Sequence, residues 1–155
     1  MLYAEEVGQR AAGRTVTVTA KEIEGYKLLD GGMADSIPIH FFEDLGYDRN
    51  VVILTQPLGF VKKKNPLMWL IRFMMGKYPK MVEVMANRQD VYNATTKYIR
   101  EQEEQGKLFV IRPPEALGVG GVEHDPKEIQ RVYEIGRLEG EKQVAKVIEF
   151  LKGKQ

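Results

Sequence analysis

The chain has 155 residues, 43% of them hydrophobic and 29% charged, the length and balance of one ordinary globular domain with a core of its own. Its 23 basic and 22 acidic side chains leave a formal charge of +1, so no global field draws it to nucleic acid and any electrostatic partner must be met locally. With no cysteine and only His40 and His124 as imidazoles, it has no disulfide framework, no thiol nucleophile and no cysteine-rich zinc site.

The first residues, MLYAEEVGQR, carry acids where a signal peptide has a basic start, and no apolar core comes after them. A cytoplasmic protein is the expectation. Thr15 to Thr19 alternates strictly with β-branched residues throughout and predicts a strand with one buried face. Gly25 then punctuates before a second short run, Tyr26 to Leu29. This run ends on Asp30-Gly31-Gly32, which on local grounds is a turn signal, because glycine takes positive φ freely.

Ser36 is the only serine. A serine nucleophile needs a base in reach and an oxyanion hole, usually placed by a Gly-x-Ser-x-Gly strand-to-helix turn, and that motif is missing. His40 lies four positions on, but Pro38 intervenes, so Ser36 reads as a cap or turn residue. The histidines have no carboxylates at metal spacing around them, and no P-loop, Gly-x-Gly-x-x-Gly, His-Glu-x-x-His or calcium-loop pattern occurs; neither metal nor cofactor is expected.

Val51 to Thr55 has no polar alternation until its end and predicts a strand buried on both faces, as in a parallel sheet covered by helices. Next comes a basic stretch without an acid: Lys62, Lys63, Lys64, Arg72, Lys77 and Lys80 surround the short apolar run Pro66 to Met75, which holds Trp69. Such flanks suit the surface of an anionic bilayer with Trp69 at headgroup depth. Because the apolar residues surround the helix axis, a helix packed against the sheet is the favoured reading.

From Lys80 to Gln105, Met81, Val84, Met85, Val91, Tyr92, Thr95, Tyr98 and Ile99 follow the spacing of one helix face, and Gly106 supplies the stop. Leu108 to Ile111 repeats the buried-strand signature and ends at Pro113-Pro114. Gly120-Gly121 reads as a turn and His124 as solvated. The last helix opens on an Asp125 cap with Pro126 at its first position, and Gly136 and Gly140 within it predict close packing or a kink. Strand and helix in alternation predict an α/β fold with a mainly parallel sheet, flanking helices and a helical C-terminal region.

One longer pattern bears on function. Tyr26-Lys27-Leu28-Leu29 leads into Asp30-Gly31-Gly32-Met33-Ala34-Asp35-Ser36-Ile37-Pro38-Ile39, and after a helix-length gap Gly46-Tyr47-Asp48 precedes Val51-Val52-Ile53-Leu54-Thr55. Further on stand Gln56-Pro57-Leu58-Gly59-Phe60 with the lysine run, Lys77-Tyr78-Pro79, Asn87-Arg88, Tyr92-Asn93 and Phe109-Val110-Ile111-Arg112-Pro113. Over residues 22–150 these segments resemble the distal half of the bacterial patatin-like phospholipase family.

The resemblance implies a serine hydrolase of lipid acyl esters. In that family a serine in Gly-x-Ser-x-Gly pairs with an aspartate in Asp-Gly-Gly, and Asp30 matches the aspartate, with Gly31 and Gly32 forming the active-site turn. Neither the nucleophile elbow nor the glycine-rich oxyanion loop precedes Asp30, so the chain is expected to be inactive alone. The implied organisation is a divergent segment over 1–21, the distal catalytic portion over 22–60 and a helical extension with one further strand over 61–155.

The implied partners are a lipid or other acyl ester, a separate N-terminal half or a second copy of the chain, and a membrane contacted peripherally through Lys62, Lys63, Lys64 and Trp69. The alternative is a shortened, non-catalytic relative that binds lipid or protein, with Asp30 kept as a turn.

Overall fold

The computed structural model describes residues 7–11, 14–18, 21–23, 26–28, 31–120 and 123–153, the segments before residue 31 by their backbone alone. In chain order its elements are β1 (Val7–Ala11), β2 (Arg14–Val18), β3 (Lys21–Ile23), β4 (Tyr26–Leu28), α1 (Ile39–Asp44), β5 (Asn50–Ile53), α2 (Met68–Met74), α3 (Pro79–Glu104), β6 (Leu108–Ile111) and α4 (Pro126–Lys152). A 3-10 turn spans Gly31–Met33. The fold is mixed α/β, with two compact units, each made of two separate segments.

The first unit joins Met1–Pro38 to Lys62–Thr96. Here β1 pairs antiparallel with β2, from Val7 opposite Val18 to Ala11 opposite Arg14, and β3 pairs antiparallel with β4, from Lys21 opposite Leu28 to Ile23 opposite Tyr26. Connections of two residues permit only antiparallel neighbours, because a parallel crossover needs a dozen or more. The expected strand at Thr15 is therefore half of a hairpin, and the parallel pairing among the described residues is confined to β5 and β6.

Ile71, Met75 and Met81 form this unit's buried cluster, with Met68, Tyr78, Val82 and Met85 packed against it. Methionine's unbranched chain suits a small, irregular core of this kind. Within α2 only Ile71 is buried, whereas Trp69 is 69% and Phe73 85% exposed. The favoured reading of α2 as a helix enclosed by the sheet is thereby corrected: a seven-residue helix resting on one face leaves its other apolar residues in solvent.

Helix α3 runs through both units, residues 79–96 in the first and 97–104 in the second. Its buried residues are Met81, Gln89, Thr95 and Ile99, while Val91 is exposed, so two polar side chains occupy positions on the inward face. Thr95 satisfies its hydroxyl by donating to Val91 O at 3.0 Å, and Gln89 Nε2 donates to Ala86 O at 2.6 Å. Local backbone acceptors are what make such burial tolerable. Gly106, with φ of 70°, ends the helix: its N–H donates to Glu103 O and that of Lys107 to Gln102 O, the paired bonds of a left-handed C-terminal cap.

The second unit joins Ile39–Val61 to Lys97–Gln155. Here β5 and β6 pair in parallel, Asn50 opposite Leu108 through Ile53 opposite Ile111. Val52 and Leu108 are buried, but Ile53 is 74% exposed, so the strand expected to be buried on both faces is covered on one. Helix α4 packs beside β6, with Phe109 and Phe150 ring centroids 5.8 Å apart. Asp125 caps α4 by accepting from Lys127 N at 2.9 Å, with Pro126 at the first position, as the sequence predicts.

No residue of α4 is buried, and Ile129, Tyr133, Val144, Ile148 and Leu151 are exposed. A Cβ added at Gly136 or Gly140 would meet nothing within 4 Å, so of the two expectations, close packing or a kink, close packing is not found among the described residues. Among the described residues no helix is long and apolar enough to cross a membrane.

Candidate functional site

Asp30, the candidate catalytic aspartate, lies outside the described residues. Residues 31–37 form a closed turn. Gly31 O accepts from Ala34 N at 2.9 Å and from Asp35 N at 3.0 Å, and Ser36 Oγ donates to Gly32 O at 2.8 Å. Asp35 Oδ1 accepts from Ile37 N at 3.1 Å, so both polar side chains of this stretch bind backbone. The expected turn role of Ser36 agrees with these bonds. Gly31 belongs to the 3-10 turn with no positive φ, and a Cβ there would meet nothing within 4 Å.

Lys62 is fixed through its backbone. Asn93 Oδ1 accepts from Lys62 N at 2.8 Å and Asn93 Nδ2 donates to Lys62 O at 3.0 Å, a two-bond clamp that ties the lysine run to α3. The Lys62 ammonium then lies over the Tyr92 ring, 4.7 Å from its centroid. Burial, with the nearby charge of Arg88, lowers the Lys62 pKa, and burial raises that of Tyr92. Arg88, one turn before Tyr92 on α3, has an Nε closed to solvent without a hydrogen-bond partner. Lys63 and Lys64 are exposed.

In the same unit a pocket of about 350 Å³ is lined by Arg72, Pro79, Val82, Glu83, Ala86 and Asn87. Trp69 and Phe73, four residues apart on α2, are both exposed. The unit therefore combines lysines, a half-buried arginine and exposed aromatic rings, a composition suited to an anionic or amphipathic ligand.

The second unit holds a separate cluster. Tyr98 donates its hydroxyl to Glu43, 2.9 Å from both carboxylate oxygens, and His40 Nδ1 lies 3.2 Å from Glu43 Oε2. The His40 and Tyr98 rings are 4.5 Å apart between centroids. Burial, then the hydrogen bond and charge of Glu43, raises the Tyr98 pKa. From sequence, His40 stands out only as a ligand or base candidate and Glu43 not at all, although their three-residue spacing on α1 is a signal for the pair. Tyr98 joins them from a sequence distance that no local pattern conveys.

A larger pocket of about 720 Å³ in this unit is lined by charges of both signs, Asp48, Arg49, Lys107, Lys146 and Glu149, around Phe109 and Phe150. Among the described residues no group of three or more histidine, cysteine, aspartate or glutamate side chains could hold a metal ion.

Residues 78–152 match the family model described as a domain of unknown function (DUF6363). The matched segment comprises α3, β6 and α4 and the loops between them. No curated protein matches the chain. No solved structure matches it.

Proposed function

We propose that this chain is the distal portion of a patatin-like serine acyl hydrolase, a partial patatin-like sheet that contributes Asp30 to a Ser-Asp dyad and is inactive without a nucleophile-bearing N-terminal half. The observation that carries the reading is the sequence Asp30-Gly31-Gly32, whose two glycines belong to a closed turn over residues 31–37 in which the hydroxyl of Ser36 is bonded to Gly32 O. The mixed α/β fold with a parallel β5–β6 pair supports it, as does the exposure of Ile53 on β5, an apolar side chain left open to cover by another body.

In this mechanism the Asp30 carboxylate takes the proton of the partner half's serine as its oxygen attacks the ester carbonyl. The collapsing tetrahedral intermediate expels the alcohol, which receives the proton from Asp30. Water, deprotonated by the same carboxylate, then attacks the acyl-serine, and the carboxylic acid leaves as the serine regains its proton. The oxyanion donors would come from the other half, and without them the largest catalytic contribution is missing. The enzyme would work in the cytoplasm, touching the membrane peripherally, with a lipid or other acyl ester as substrate.

The test mixes the chain with a patatin-like N-terminal half carrying the Gly-x-Ser-x-Gly segment. Esterase activity that appears only in the mixture and disappears in Asp30→Asn is expected. A fluorophosphonate adduct on the chain alone that is lost in Ser36→Ala would overturn the half-site reading.

A second reading, a non-catalytic lipid- or protein-binding module, is favoured by one observation: Trp69 and Phe73 are exposed on α2 in the same unit as the lysine run. Under this reading Asp30→Asn changes nothing, and binding to anionic vesicles falls in Trp69→Ala.

A further inference from the structure

Unlike the exposed Lys63 and Lys64, Lys62 is partly buried: its backbone is clamped at both polar atoms by Asn93, and its ammonium rests on the Tyr92 ring. Arg88 precedes Tyr92 by four residues on α3, which puts guanidinium and ring on one helix face. Among the described residues neither Lys62 nor Arg88 forms an ion pair, and the Nε donor of Arg88 is enclosed without an acceptor. Asp90, the nearest acid in sequence, is engaged with Gln89 Nε2 at 3.0 Å.

Two partly buried cations beside one ring, with no carboxylate paired to either among the described residues, favour an anion that completes the set. A phosphate group is the fitting anion. Its several oxygens accept from a guanidinium fork and an ammonium at once, where a carboxylate has two, and chloride lacks the geometry to bridge both. We propose that Lys62 and Arg88, held beside Tyr92 by the Asn93 clamp, form a binding site for a phosphate group, carried on a lipid headgroup or free in solution. The site does not depend on Asp30 or on the hydrolase reading. The Tyr92 ring supports the ammonium from below, Lys62 and Arg88 hold the oxygens, and Lys63 and Lys64 add only long-range attraction.

The test uses the full chain and follows each lysine by mass spectrometry after brief acetylation, first with inorganic phosphate and then with potassium chloride at equal ionic strength. Phosphate should protect Lys62 several-fold, leave Lys63 and Lys64 as reactive as before, and do so saturably; chloride should not. Equal protection of all three lysines, or none at Lys62, would overturn the site.

Arg88→Gln should abolish the protection, and Arg88→Lys, which keeps charge without the fork, should leave it weakened. Undiminished protection in Arg88→Gln would remove Arg88 from the proposal. Vesicles of phosphatidylcholine with and without phosphatidic acid distinguish the sources. Protection of Lys62 by phosphatidic acid vesicles assigns the site to a headgroup, whereas protection by free phosphate alone assigns it to a soluble phosphate.

Discussion

The guanidinium of Arg49 lies against Gly153: Nη1 donates to Phe150 O at 2.7 Å, and a Cβ on Gly153 would stand 2.5 Å from Nη2. A cation thus sits on the carbonyl end of α4, where the helix dipole is negative, and the glycine that ends the helix with φ of 75° leaves room for it. One loop residue before β5 thereby holds the far end of the last helix.

Two substitutions separate these contributions. Arg49→Gln removes the charge at the helix end and should lower stability by about 0.5–1 kcal/mol. Gly153→Ala imposes a left-handed φ on a side chain and displaces Arg49, and should cost about 1–2 kcal/mol. Thermal unfolding followed by circular dichroism measures both, and because the two sites are coupled, the double variant should lose less than the sum.

Gly136 and Gly140 predict the opposite sign. Nothing lies within 4 Å of a Cβ at either position, so alanine there gains helix propensity without a clash. Each of Gly136→Ala and Gly140→Ala should stabilise the chain by about 0.5–1 kcal/mol, read as a higher urea midpoint with an unchanged slope. A loss of stability would show that these positions are packed against something.

Asn93→Ala frees both polar atoms of the Lys62 backbone at once. The loss should be about 1–3 kcal/mol, with Asn93→Asp recovering only the bond donated by Lys62 N. Hydrogen exchange provides a direct check, since the Lys62 amide should be protected in the native chain and exchange much faster in Asn93→Ala.

Tyr98 gives a pH dependence whose sign follows from its raised pKa. The folded chain holds the phenolic proton more tightly than the unfolded chain, so this contribution to stability is complete below about pH 10 and is lost as pH rises through the higher folded value. Ultraviolet titration at tyrosinate wavelengths should show a late-titrating tyrosine that vanishes in Tyr98→Phe. In Glu43→Gln it should move to lower pH, because the carboxylate's charge and its acceptor strength no longer hold the proton.

Much of the fold was legible because it is local chemistry. Asp125-Pro126 announces the start of α4 and Gly106 the end of α3, since capping needs only side chains and backbone within one turn. The periodic positions from Met81 to Ile99 mark α3, and Val51 to Ile53 and Leu108 to Ile111 mark the two parallel strands, because burial repeats with the geometry of each element. In the candidate site, the turn that opens on Gly31-Gly32 and the lysine run were visible as composition. The partners of Lys62 and Glu43 were not.

Residue order alone was enough to place the end of α3 and the start of α4, to make Ser36 a turn residue, and to gather unbalanced positive charge between Lys62 and Lys80. It took the folded chain to expose Trp69 and Phe73 to solvent, to clamp Lys62 over Tyr92 through Asn93, and to bring Tyr98 to Glu43. The difference is one of range. Propensity, capping and periodicity act within about a turn of chain, whereas which face is covered, and which charge meets which, depends on segments that folding alone brings together.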